Sequence, residues 1–130
     1  MAAAVAREDD PEGAPRACSC LRDSVYRYAR PLLREPDARH IGQQLIRAAT
    51  SVAANYRATC LARTRAEWLS KMGIVREESD ETLFWLVFIQ RAGIAGARDA
   101  ETSTLTTEAD ELARIFAASY RTGKARNRKT

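Results

Sequence analysis

Apolar residues recur along most of this chain with the period of a helix, and the pattern breaks at Pro36-Asp37, near Arg63 and between Gly93 and Gly96. In the first segment Leu21, Val25, Tyr28 and Leu32 recur at steps of four, three and four, which is one face of a helix. Pro31 lies inside that pattern, so the helix kinks there or ends near Arg30. A second helix is predicted from about Ala38 to about Leu61, with a stripe of Ile41, Leu45, Ala48 or Ala49, Val52 and Tyr56. Small residues crowd its middle; they favour helix and let a neighbouring backbone come close. Thr64 and Glu67 have the spacing of a capping box, a cap worth about 1 kcal/mol. The third helix then reaches about Ala92, with Trp68, Met72, Val75, Ser79, Leu83, Leu86 and Gln90 as its inner row. A fourth begins near Ser103 or Thr104 and turns Leu105, Ala109, Leu112, Phe116 and Ser119 or Tyr120 inward. Four amphipathic helices with short connections predict an all-α fold, an up-down-up-down antiparallel four-helix bundle.

The flanks lack this periodicity. Residues 1–16 are rich in Ala, Pro, Gly and acids and read as a disordered N-terminal arm. Residues 17–122 form the bundle, and 123–130 read as a solvated basic C-terminal tail. If the turn between the second and third helices centres near Arg63, Leu83 faces Gln44 or Leu45, Val75 faces Val52, and Gly73 faces Ala54. The same register sets Arg47 against Asp80 and Glu81, a polar network that Asn55 extends through a hydrogen bond between helices. If that network is buried, Arg47→Ala costs about 3–5 kcal/mol by stranding a carboxylate. Phe84 to Ile89 are consecutive and apolar, so they surround the helix, whereas a bundle hides only a stripe. Phe84, Trp85 and Phe88 are therefore the expected oligomer interface.

Composition narrows the chemistry. Net charge is +4, unevenly spread: residues 16–65 hold ten arginines and three acids, residues 66–111 four basic and ten acidic side chains. Arg121, Lys124, Arg126, Arg128 and Lys129 follow with no acid among them. No apolar run approaches the roughly 20 residues that cross a bilayer, and the N-terminus lacks the apolar core of a signal peptide, so a cytoplasmic protein is expected. Three cysteines and one histidine, His40, fall short of the four or so ligands a zinc site uses. No metal and no cofactor is expected. Glu77, Glu78, Asp80 and Glu81 lack the histidines of a di-metal bundle, and no nucleophile–base pair can be assembled, so a protein that is not an enzyme is expected. The four tyrosines, Tyr26, Tyr28, Tyr56 and Tyr120, read as core or interface aromatics and form no base-stacking platform.

Four stretches in order carry a resemblance. They are QQLIRAATSVAANYR over 43–57, ARTRAEW over 62–68, ESDETLFWL over 78–86 and ELARIFAASYRT over 111–122. Together they resemble the four-helix-bundle family named for proteins encoded in intervening sequences of bacterial 23S ribosomal RNA. That resemblance implies a compact bundle assembling as a ring-shaped homopentamer. It also implies kinship with accessory proteins of diversity-generating retroelements, whose basic ring engages nucleic acid and a reverse transcriptase. Ala58 stands where the family usually has Glu after its Asn-Tyr-Arg run, so no carboxylate joins a polar network there.

The expected function is accordingly a non-enzymatic oligomer that binds RNA or DNA through basic surfaces, with no membrane partner. Arg121, Lys124, Arg126, Arg128 and Lys129 are one candidate surface for a phosphate backbone. Arg63 and Arg65, at the turn before the third helix, are expected to form a second patch at the opposite end. The alternative is a structural or protein-interaction module whose helix-three aromatics recruit a partner and whose basic tail is incidental.

Overall fold

The computed structural model describes residues 13–94 and 96–128, with α1 over Gly13–Ala29, a 3-10 turn over Pro31–Arg34, α2 over Arg39–Cys60, α3 over Arg65–Ala92 and α4 over Asp99–Arg128. The described residues form an all-α four-helix bundle with no strand among them, and each helix packs on its neighbours in the chain. α1 also packs on α4, which closes the bundle. Pro31 ends α1: it has no N–H to give the next helical turn, and it opens the short 3-10 turn.

The helix ends show how local chemistry sets the frame. At the start of α3, Thr64 Oγ1 accepts a hydrogen bond from the Glu67 amide at 3.0 Å. The reciprocal half of the cap differs from expectation, because the Glu67 carboxylate takes the Arg63 amide at 3.2 Å. At the other end Gly93 adopts the left-handed conformation (φ 62°) that stops a helix. α4 begins at Asp99, earlier than its apolar stripe alone indicates, with Asp99 and Glu101 in its first turn facing the positive end of the helix dipole.

The core runs the length of the bundle through Tyr28, Leu32, Leu45, Val52, Val75, Leu86, Ile89 and Phe116. On α3 the buried row is Met72, Val75, Ser79, Thr82, Leu86 and Ile89, alternating steps of three and four. That average of 3.5 is the repeat of a left-handed bundle. The expected row departs from it after Ser79: Leu83 is only partly buried and Gln90 is exposed. Two hydroxyls sit in this row without penalty, since Ser79 donates to the Arg76 carbonyl at 3.0 Å and Thr82 to that of Glu78 at 2.9 Å. Tyr28 and Thr102 join α1 to α4 through a buried hydrogen bond. The Thr102 hydroxyl donates to the Arg98 carbonyl at 2.9 Å, so the Tyr28 hydroxyl is the donor between them.

Both flanks are more helical than their composition indicates. Residues 13–16 belong to α1, while the rest of the expected disordered arm lies outside the described residues. The stretch expected as a solvated tail continues α4 to Arg128. Gly123 does not end the helix because it is where α4 meets α3: a Cβ there would lie 2.2 Å from Cζ3 of Trp68. Gly73 likewise faces α4, with Tyr120 Cε2 3.3 Å from where its Cβ would be, and not Ala54 as the helix-two register predicts.

Candidate functional site

The α3–α4 register brings together two basic groups that the sequence reading put at opposite ends. Arg65 Nη1 donates to the Arg126 backbone carbonyl at 3.2 Å, Trp68 covers Gly123, and Tyr120 packs on Gly73. The α2–α3 turn and the last turns of α4 therefore occupy one end of the bundle, as up-down-up-down topology requires. The Arg65 guanidinium there satisfies a carbonyl near the end of α4, where helical partners run out.

Around this contact Arg57, Arg63, Arg65, Arg121, Lys124 and Arg126 are all exposed. Glu67 is the acid among them, held by Arg63 at 3.7 Å. Tyr120 steadies two cations on its ring, with Arg76 at 5.3 Å and Lys124 at 5.8 Å from the centroid. Arg128 closes α4, and Lys129 lies outside the described residues. This basic end is carried by two helices. It presents several positive charges with little acid between them, which suits a polyanion.

A second constellation lies midway up the α2–α3 face. Arg47 Nη1 meets Glu78 Oε2 at 3.2 Å, and its Nη2 bonds Glu81 Oε1. Glu78 takes the place expected for Asp80, which is exposed. Glu78 and Glu81 are three residues apart and share a helix face, whereas Asp80 points elsewhere. Asn55 does not reach across to α3. Its amide donates to the Ser51 carbonyl at 2.9 Å and to the Ser51 hydroxyl at 3.1 Å, one turn back in the same helix.

The clasp is open to water, with Arg47 46% exposed, so it falls outside the buried regime assumed from sequence. Arg47→Ala is expected to cost about 1 kcal/mol at neutral pH, as for an exposed ion pair. The Arg47 guanidinium, helped by the Trp85 indole N–H at 3.3 Å, holds the Glu81 carboxyl below the usual carboxylate range. A carboxyl so depressed contributes stability above its unfolded-state pKa and loses it as pH falls through the folded one. Thermal melts of the variant should thus show a shallower loss of stability on acidification than the parent. An equally steep acid limb in both proteins contradicts the clasp.

Beside it Trp85 is the centre of an aromatic patch. Phe84 and Phe88 stand edge-on to it at 5.0 and 6.2 Å, and His40 at 6.3 Å. Phe84 is 57% and Phe88 42% exposed, so the consecutive apolar run does leave large side chains in water. One cluster that sequence reasoning missed joins Cys18, Tyr56 and Cys60 in a cleft of about 610 Å³ between α1 and α2. Burial, and then the Cys60 thiol, push Cys18 up to about 12. Burial, followed by the two thiols, does the same for Tyr56. Both groups stay protonated and inert at neutral pH. Among the described residues no group of three His, Cys, Asp or Glu could hold a metal ion, and no helix is long and apolar enough to cross a membrane.

Three comparisons bear on this arrangement. A protein-family model described as 23S rRNA-intervening sequence protein matches residues 17–118. Among solved structures, the chain is similar to a protein of unknown function from the S23 ribosomal protein family of Bacteroides thetaiotaomicron. The two are 20% identical with a TM-score of 0.73, over 82% of this chain and 97% of that one. At that identity the likeness speaks for the fold alone. No curated protein matches the chain in sequence.

Proposed function

The chain belongs to the 23S rRNA-intervening sequence protein family, and from that premise we propose that it is a non-enzymatic, oligomeric accessory protein that binds nucleic acid through its basic end. The observation that carries this reading is the meeting of the α2–α3 turn with the end of α4 at the Arg65–Arg126 contact. Arg63, Arg65, Arg121, Lys124 and Arg126 make one surface of it. The aromatic patch of Phe84, Trp85 and Phe88 joins protomers, and a pentameric ring repeats the basic end around an axis. Repetition turns one weak patch into a multivalent crown, with affinity beyond that of any single protomer. A reverse transcriptase is the protein partner that kinship with retroelement accessory factors suggests. A reverse-transcriptase gene with template and variable repeats beside this one supports that role, and a location within a ribosomal RNA insert supports an intervening-sequence role in its place.

Salt dependence tests the basic end. Each phosphate neutralised contributes a slope of about 0.9 in log K against log salt for duplex DNA, or about 0.7 for single strands. Replacing Arg63, Arg65, Arg121, Lys124 and Arg126 by glutamine should flatten the slope by about 3.5 to 4.5 on that scale. An unchanged slope removes these residues from the account. The exposed Phe84 and Phe88 favour a second reading, a protein-interaction module indifferent to nucleic acid. An assembly that never binds RNA or DNA at low salt selects it.

A further inference from the structure

Arg27, Arg30 and Arg34 sit where α1 gives way to the Pro31–Arg34 turn, at the end of the bundle away from Arg65 and Arg126. With Pro31 they line one open concavity of about 260 Å³, and all three are exposed. Offsets of three, four and seven residues set them on one face, where like charges repel. Among the described residues no hydrogen bond or ion pair engages the side chain of Arg27 or Arg34, and that of Arg30 has only its stack on Tyr26, 5.8 Å from the ring centroid. Glu101 and Glu108 line the neighbouring groove with Arg27, but Glu101 is taken by Arg98 through two bonds of 2.7 and 2.8 Å. The dipole of α1 favours a cation in its last turn, which accounts for Arg27 alone.

The corner that carries them is fixed. Ala29 and Leu32 are both fully buried between the arginines, and Pro31 restricts the backbone. Three guanidinium forks lining one concavity on such a frame match phosphate oxygens in pairs. Seven residues of helix cover on the order of 10 Å, the length of about three phosphates along one strand. The concavity is open, which suits a strand passing over it and not a small ion enclosed by protein.

We propose that Arg27, Arg30 and Arg34 form a second phosphate-binding site, which takes the sugar–phosphate backbone of a nucleic acid at the end opposite the first. The site rests on the nucleic-acid reading above. It adds that one protomer engages nucleic acid at two places separated by the length of α3, about 42 Å for its 28 residues.

Fluorescence anisotropy with labelled single-stranded and duplex oligonucleotides, repeated across a salt series, tests this on the full-length protein. Four chains are compared: the parent, the five-glutamine variant of the basic end, an Arg27→Gln/Arg30→Gln/Arg34→Gln variant, and a control with Arg91→Gln and Arg114→Gln. All the substituted side chains are exposed, and circular dichroism checks that each chain is helical. The arginine triple is expected to flatten the slope by about 2 to 3, at roughly 0.7–0.9 per phosphate. The control should change it much less per charge removed. A triple that keeps the parental slope overturns the second site, as does a control that matches the triple per charge. If the five-glutamine variant flattens the slope while the triple does not, only the second site falls. A parent that binds no oligonucleotide at any salt overturns both.

Discussion

Phe116→Ala is expected to lower the stability of the bundle by about 3–5 kcal/mol, the range for removing a buried aromatic ring. Phe116 is 1% exposed and lies on the inner face of α4, with its ring centroid 5.4 Å from that of Tyr56 on α2. It therefore ties together two helices that are not consecutive in the chain. With a total stability of roughly 5–15 kcal/mol for a domain this size, such a loss leaves a marginal fold. Urea denaturation followed by circular dichroism measures it directly. A loss below about 1 kcal/mol would mean that the ring is not where the packing puts it.

The second large effect is at Gly123. A methyl group there would sit 2.2 Å from Trp68 Cζ3, 2.8 Å from Cη2 and 3.2 Å from Cε3. Either the indole swings away or the last turns of α4 lift off α3. Overpacking of this kind costs about 1–3 kcal/mol, even though alanine is the better helix former. The consequence for function is greater than for stability, since Arg126 leaves Arg65 and the basic end splits in two. Gly123→Ala should move the Trp68 indole resonance in an NMR spectrum, lower the melting temperature and weaken oligonucleotide binding without any change of charge. An unmoved resonance with a parental melt contradicts the close approach.

Much of this fold was legible because its punctuation is local. α2 and α3 end within a residue or two of where the breakers and caps indicate, since Thr64 caps through its own hydroxyl and Gly93 stops the helix through its own backbone. Gly123 was misleading for the same reason. A glycine near the end of a helical pattern reads as a stop, and only the indole of a residue 55 positions earlier shows that it permits a close crossing. The clasp was legible in its helices and not in its partners. A register pairs positions along two axes but does not say which face they share, so Asp80 stood in for Glu78. Asn55 spends its amide within its own helix, an alternative open to any mid-helix Asn.

The candidate site was half legible. Its cations are plain in the composition, and Phe84 and Phe88 are exposed as the unbroken apolar run implies. Their grouping was not plain, although topology alone contains it. In an up-down-up-down bundle the second turn and the end of the fourth helix lie together, and the length of α4 decides whether they touch. The three arginines of the α1 corner were invisible as a set. Their sequence spacing crosses Pro31, where helical periodicity cannot be assumed until the 3-10 turn is seen to continue it.

The central claim is that the basic end works in an assembly, and absolute mass in solution tests it most directly. Light scattering on the purified 14.5 kDa chain, alone and with RNA or DNA oligonucleotide, is the measurement. The account predicts a defined multiple of the protomer mass that gains further mass with nucleic acid at low salt. A protein that stays at the mass of one protomer and ignores both nucleic acids contradicts it.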